Sequence, residues 1–419
     1  MRILFVTPHP PSRIRVRSYG FLSHLRQAHE VTLVTPCVSA REHADVEHLR
    51  SQGYEVISVE ESKRQAMLRS VRVLLSSTPL QVAYARSVHL RQTVERLCCE
   101  RSFDVIHVEH LRGIASLEQL ASTHPLVWDA VDCISLLFKH TMVAGPSLPV
   151  RAIARLEYKR THRYESRVLN KLPYVAVTSQ RDCESLVDLK RLYQPDAQSS
   201  DEQPGQGICV IPNGVDLEYF YPTPEDERRP FNVVFSGKMS YHANVATALY
   251  LHQHIMRLIW KVRPEATLTI VGSSPPKAIQ RLAVDPRVEV TGYVEDLRPY
   301  IRRAQVMLSP MVYSVGIQNK VLEAMALGTP VVVAGQAAAS LEAEHGRELF
   351  VAGSPQQFAD YALQLMNDEQ LREQLSQHGR AYVEQHHNWG VLTERLVDLY
   401  RKAIASDTYA SDALSHSRG

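Results

Sequence analysis

The feature that most constrains this chain is an alternation carried through twice. Short β-rich apolar runs are separated by longer segments with helical period, and the runs are apolar throughout rather than at every second residue. Strands of that kind are buried on both faces, which is the condition of a parallel sheet joined by crossover helices. In the first half the expected strands are Arg2–Thr7, Val31–Thr35, Glu55–Val59, Val105–Val108, Leu126–Asp129 and Tyr174–Thr178. In the second half they are Asn232–Ser236, Thr267–Val271, Val288–Thr291, Val306–Ser309, Pro330–Val333 and Leu349–Val351. Two successive sets of strands predict an α/β chain with two doubly wound sheets. At 419 residues the chain also exceeds the roughly 250–300 that one core accommodates. The expected division is a first domain over 1–211, a second over 212–388, a C-terminal helix over 389–405 packing back toward the first, and a tail over 406–419. The crossing is placed in the buried run ICVIPNGVD, which turns at Pro212–Gly214 between two polar stretches, Arg191–Gly207 and Tyr221–Pro230.

Composition narrows the function classes. With 44% hydrophobic and 22% charged residues, the chain is neither disordered nor fibrous nor a disulfide scaffold. Lys and Arg number 47 against 45 Asp and Glu, so no whole-protein field would draw in nucleic acid, and no nucleic-acid partner is expected. Six scattered cysteines without a C-x-x-C pair argue for free thiols in the cytoplasm and against a zinc site. The opening MRILFVTPHP reads as a core strand rather than a signal peptide. No run approaches the roughly 18 apolar residues that span a bilayer, so membrane contact would be peripheral. A G-x-G-x-x-G after the first strand, a P-loop and a G-x-S-x-G elbow are all absent, which lowers nicotinamide oxidoreductase, NTPase and hydrolase readings.

Three constellations carry chemistry. In VGIQNKVLEAMALGTP (Val315–Pro330), a glycine-containing loop enters a helix whose first amides and Lys320 make an anion site. Within it, Glu323 sits among apolar neighbours, where a carboxylate is costly unless a ligand hydroxyl satisfies it; an exposed helix position is the bland alternative. At Phe235–Met239 a strand ends on Gly237 followed by Lys238, a place where a cation would meet a diphosphate or simply be solvated. In the first half, His9, His107, Glu109, Asp129 and Asp132 all fall at strand ends. Each also has a bland reading, His107 as a core histidine and the two aspartates as helix caps.

FDVIHVEH (Phe103–His110), IPNGVD (Ile211–Asp216), the Gly237-Lys238 turn, VTGYVEDLRPYIRRAQVMLSP (Val290–Pro310) and NKVLEAMALGTPVV (Asn319–Val332) together resemble family 4 retaining glycosyltransferases of the GT-B fold. VGIQNKVLEAMA is similar to the branch associated with exosortase and exopolysaccharide loci. The resemblance implies two Rossmann-like domains facing across a cleft, with a nucleotide-sugar donor as substrate and no metal or other cofactor. It places the ribose hydroxyls on Glu323 and the diphosphate near Gly316, Ile317 and Gln318. Lys238 stands where the family carries an arginine, the base would lie near Gly292, Tyr293 and Val294, and Gly237 and Asn213 complete the donor side. Three further departures stand out. The family's first glutamate is Val315 here, so its contact to the donor sugar is missing. The family's second lysine falls at Ala243, and Lys320 is the expected substitute. The first-domain histidine before an aspartate is Val131, which leaves Asp129 and Asp132 as the local polar candidates.

These readings lead to an expected retaining hexosyltransferase acting on a sugar or lipid-linked acceptor in polysaccharide or glycoconjugate biosynthesis, with Lys238, Lys320, Asp129 and Asp132 as its catalytic candidates. A non-catalytic nucleotide-sugar-binding subunit and an epimerase of the same fold stay open as alternatives. The run Arg151–Lys171 holds seven cations against two acids, from which peripheral contact with the cytoplasmic membrane is a further expectation.

Overall fold

The computed structural model describes residues 1–144, 148–193, 207–223, 227–311 and 317–406. Its contacts divide the chain into two compact units, Met1–Pro212 with Gly390–Gly419, and Asn213–Trp389.

In the first unit the strands are β1 (Arg2–Val6), β2 (Glu30–Cys37), β3 (Glu55–Glu60), β4 (Val105–Glu109), β5 (Leu126–Val131), β6 (Val175–Val177) and β7 (Ile208–Val210). They form one sheet in the order β3-β2-β1-β4-β5-β6-β7 with every pairing parallel. The continuous burial of Ile3–Val6 and Val105–Val108 is what a sheet covered on both faces demands of its central strands. The run at Ile208 was expected as a buried strand at the crossing. It is instead a seventh, half-buried member of the sheet, because it pairs with β6 on one side only. From Gly390 onward the helix Trp389–Ala405 belongs to this unit, where buried Tyr400 meets His107 with its hydroxyl 2.9 Å from Nδ1.

The second unit contains β8 (Asn232–Ser236), β9 (Thr267–Val271), β10 (Val288–Gly292), β11 (Val306–Ser309), β12 (Val331–Ala334) and β13 (Phe350–Ala352), again all parallel, in the order β10-β9-β8-β11-β12-β13. The strand period of two sends alternate side chains into two separate cores. Val233, Phe235 and Leu308 pack with Leu251, Ile259 and Phe358 on one face, while Val234 and Met307 pack with Val321, Leu322 and Tyr382 on the other. Both faces are therefore helix-covered, and polar chemistry is pushed to the strand ends.

In each sheet the order of strands reverses once, between β1 and β4 and between β8 and β11. Ligands of doubly wound folds bind outside the carboxyl ends of the strands at that reversal.

Candidate functional site

At the reversal in the second unit, β8 ends at Ser236 and the chain turns at Gly237, with φ +151°. Gly272, at the end of neighbouring β9, has the same φ, and a Cβ there would fall 1.8 Å from the Gly237 carbonyl oxygen. Only glycine allows these strand ends to lie backbone against backbone, leaving room above them. Beside them β11 ends at Ser309, whose hydroxyl donates to Gln318 Oε1 at 2.8 Å and so fixes the N-cap of the helix Asn319–Ala326. The first amides of that helix have no intrahelical acceptor. Gln318 Nε2 and Ser236 Oγ are buried with no hydrogen-bond partner among the described residues, two orphaned polar atoms at the reversal.

The same helix brings in both ionisable groups. Lys320 Nζ donates to Asn244 Oδ1 at 2.6 Å and lies 4.5 Å from the centre of the Phe235 ring. Burial holds its pKa down at about 8. One turn on, Glu323 is half-buried between Leu322 and Ala324, and its carboxylate has no hydrogen-bond partner among the described residues. Loss of hydration pushes its pKa up to about 7 against the opposing effect of the Lys320 charge. Asn213 joins them from the start of the unit, its Nδ2 donating to Asn319 Oδ1 at 3.2 Å while its carbonyl meets His387 Nδ1 at 2.7 Å.

Gly237, Gln318, Lys320, Glu323 and Asn213 thus gather around one helix start. Ile317 is half-buried against the core of that face, as is Val294. The Lys238 and Tyr293 side chains are exposed and touch none of these groups. Gly316 and Val315 lie outside the described residues. Asn244 and Ser309 went unread in the sequence, and Ser236 was read only as part of the strand end Phe235–Met239. Asn244 had a signal, a lone amide in the apolar helix stretch HANVATALY, and it is the neighbour of Ala243.

In the first unit, Asp129 departs from its expected role as a catalytic candidate. It is fully buried and held bidentately by Arg17, at 2.7 Å from Nε and 2.8 Å from Nη2, with His107 Nε2 at 3.8 Å. Both oxygens are engaged, and Arg17 also donates to the Ile211 carbonyl at 2.9 Å. His107 is a core histidine stacked on Phe5 with ring centres 4.0 Å apart, and burial lowers its pKa to about 4.

The groups that remain available lie at the edge. Asp132 accepts from Thr178 Oγ1 at 3.2 Å, and its pKa rises to about 6 through burial, reinforced by Asp182. Glu109, ending β4, is raised to about 7, chiefly by burial and then by Asp129. Val131 and His110, on these same strand ends, have φ of +66° and +65°. For a β-branched residue such as Val131 that conformation is strained, and such strain clusters at functional positions. A pocket lined by Pro8, His9, Ala66, Arg69, Tyr84 and Arg112 adjoins this edge. Two carboxyl groups raised toward neutrality at strand ends can give and take protons. Among the described residues no group of three or more His, Cys, Asp or Glu is placed to hold a metal ion.

Two parallel-sheet Rossmann-like units in one chain define the GT-B fold, and solved structures of that fold match almost the whole chain. Anabaena HepE in complex with UDP-glucose aligns with TM-score 0.64 at 16% identity, covering 96% of this chain and all of that one. Sucrose-phosphate synthase from Thermosynechococcus elongatus aligns with TM-score 0.66 at 17% identity, covering 97% and 99%. At those identities the likeness establishes the fold. Residues 230–368, within the second unit, match the family model described as "Glycosyl transferases group 1". A curated relative, the GDP-mannose-dependent monoacylated alpha-(1-6)-phosphatidylinositol monomannoside mannosyltransferase of Corynebacterium glutamicum, is 27% identical over 210 residues. The match takes in 45% of this chain and 55% of the relative, so the chain spans about half the length of the curated protein it matches.

Proposed function

We propose that this chain is a retaining GT-B glycosyltransferase that moves a hexose from a nucleotide-diphosphate-sugar to an acceptor hydroxyl in polysaccharide or glycoconjugate synthesis. The observation that carries the reading is Glu323, a carboxylate with raised pKa and no hydrogen-bond partner among the described residues, one turn from Lys320 and inside the segment matching glycosyl transferases group 1. A ribose diol supplies the two hydroxyl donors such a carboxylate lacks, and the helix amides with Lys320 suit a diphosphate. The sugar classes in the names of similar proteins, UDP-glucose for HepE and GDP-mannose for the curated relative, support a hexose donor.

In this reading, Lys320, Lys238 and the amides at the helix start stabilise the charge that grows on the leaving diphosphate as the glycosidic bond breaks. Asn244 holds the Lys320 ammonium beside Ala243, the position at which the family's second lysine is missing, so Lys320 supplies the cation from another element. Sugar discrimination rests on groups other than a carboxylate at Val315.

The test is incubation of the purified chain with a panel of nucleotide sugars and candidate acceptors in excess EDTA. The product is read by mass spectrometry and its anomeric configuration by NMR. Transfer with retained configuration is expected in the chelator. Activity lost in EDTA and restored by magnesium would remove the metal-independent part of the proposal, and an inverted anomer would remove retention.

A further inference from the structure

The first unit carries a surface on which every exposed charge is positive and the residues between the charges are apolar. Its first part is the helix Lys63–Arg72 with the turn that follows, KRQAMLRSVRVLLSSTP over residues 63–79, which contains four cations and no acid. Only Ala66 of that helix is buried; Met67, Leu68 and Val71 are more than half exposed, and Leu75 is fully so. Its second part is the helix Leu148–Leu169. Arg151, Arg155, Lys159 and Arg163 are exposed along it, with Leu148, Ile153 and Leu156 exposed between them.

The acids of this second helix do not offset the cations at the surface. Glu157 is buried, paired with Arg160 at 3.0 Å and accepting from the Leu80 amide at 2.8 Å. Glu165 is fully buried and accepts from the amides of Ile134 and Ser135 at 2.8 and 3.1 Å. The same contacts join the two parts. Arg160, one turn beyond Leu156, donates to the Leu74 carbonyl, so the turn after the first helix packs against the second.

The geometry points to this two-helix face as a docking surface for an anionic lipid bilayer. Exposed apolar side chains inside a rim of cations combine the two attractions an interfacial helix uses, burial below the headgroups and charge pairing with them. Among the described residues no helix is long and apolar enough to cross a membrane, so attachment takes place at the surface. The helix Lys63–Arg72 also contributes Ala66 and Arg69 to the pocket at the sheet edge, so a face lying on lipid would hold that pocket within reach of a lipid-linked acceptor. The inference extends the proposed function but stands on the first unit alone, because vesicle binding is read with no donor or acceptor present.

The experiment is flotation of the full chain with vesicles of phosphatidylcholine alone and of phosphatidylcholine enriched in phosphatidylglycerol. Binding is expected to need the anionic lipid and to fade as salt rises. Each lost cation should weaken it about fivefold. Arg155→Glu with Lys159→Glu, and separately Leu68→Ser with Val71→Ser, should each weaken it more than about tenfold, with unchanged circular dichroism and nucleotide affinity. Leu75→Cys carrying an environment-sensitive dye changes no packed residue; its emission should shift to the blue on anionic vesicles. Equal recovery with both vesicle types, or no shift at Leu75, would overturn the inference. So would light scattering that shows a dimer in the unmodified chain and a monomer in the Leu68, Val71 variant, because the face would then be covered by a second copy.

Discussion

Glu323 and Asp129 are both carboxylates in apolar surroundings, and the structure separates them by their partners. Asp129 is satisfied by Arg17, whereas Glu323 has none among the described residues and sits at a pKa of about 7. Glu323→Gln is expected to weaken nucleotide binding by about 1.5–3 kcal/mol, read by calorimetry, because a hydrogen bond to a charged group is lost. The pH dependence follows from the raised pKa. Free Glu323 is half protonated near pH 7, and in the proposed donor site the ionised form would accept the ribose hydroxyls, so affinity should rise as pH rises through about 7. In Glu323→Gln that part of the pH dependence should vanish, leaving only titration of the nucleotide's own phosphate. Stability moves the opposite way. A folded pKa raised from 4.5 toward 7 contributes stability that is present below 4.5 and is lost as pH rises through about 7. The variant should therefore melt higher than the parent above neutral pH. Asp129→Asn leaves Arg17 buried without its counter-charge and should cost about 3–5 kcal/mol of unfolding free energy, measured with urea. Glu323 was legible in the sequence because its apolar neighbours are adjacent in the chain. The role of Asp129 was not, because Arg17 lies 112 residues away and only the fold brings it there.

At the level of elements, most strands were readable because their runs are apolar on both faces, and Asn232–Ser236, Thr267–Val271 and Val306–Ser309 fall where the pattern puts them. β7 was not readable as a sheet member, since a three-residue edge strand has no distinctive pattern and owes its place to β6. The turn at Gly237 was read from its glycine and lysine, but the need for Gly272 was invisible without the pairing of β8 with β9. Gly272→Ala places a methyl group onto the Gly237 carbonyl, in a backbone conformation with φ +151°. It is expected to destabilise the second unit by more than about 2 kcal/mol and to abolish nucleotide binding, as measured by urea unfolding and calorimetry. Lys320 with Asn244 makes the same point between helices, joining residues 76 positions apart at 2.6 Å.

For the whole molecule, two successive sheets whose strand order reverses once, with the candidate groups of the second gathered at its strand ends, support one central proposal, that the second unit binds a nucleotide-sugar through the start of the helix Asn319–Ala326. The most direct measurement is calorimetric titration of the full chain with sugars of uridine, guanosine, adenosine and thymidine diphosphate, repeated with Lys320→Ala and Glu323→Gln. One base should bind with micromolar affinity in the parent, the Lys320 variant should lose affinity mainly for the diphosphate, and the Glu323 variant should lose it also for the bare nucleoside monophosphate. A folded parent that binds none of the four at millimolar concentration, or variants that bind as the parent does, would contradict the account.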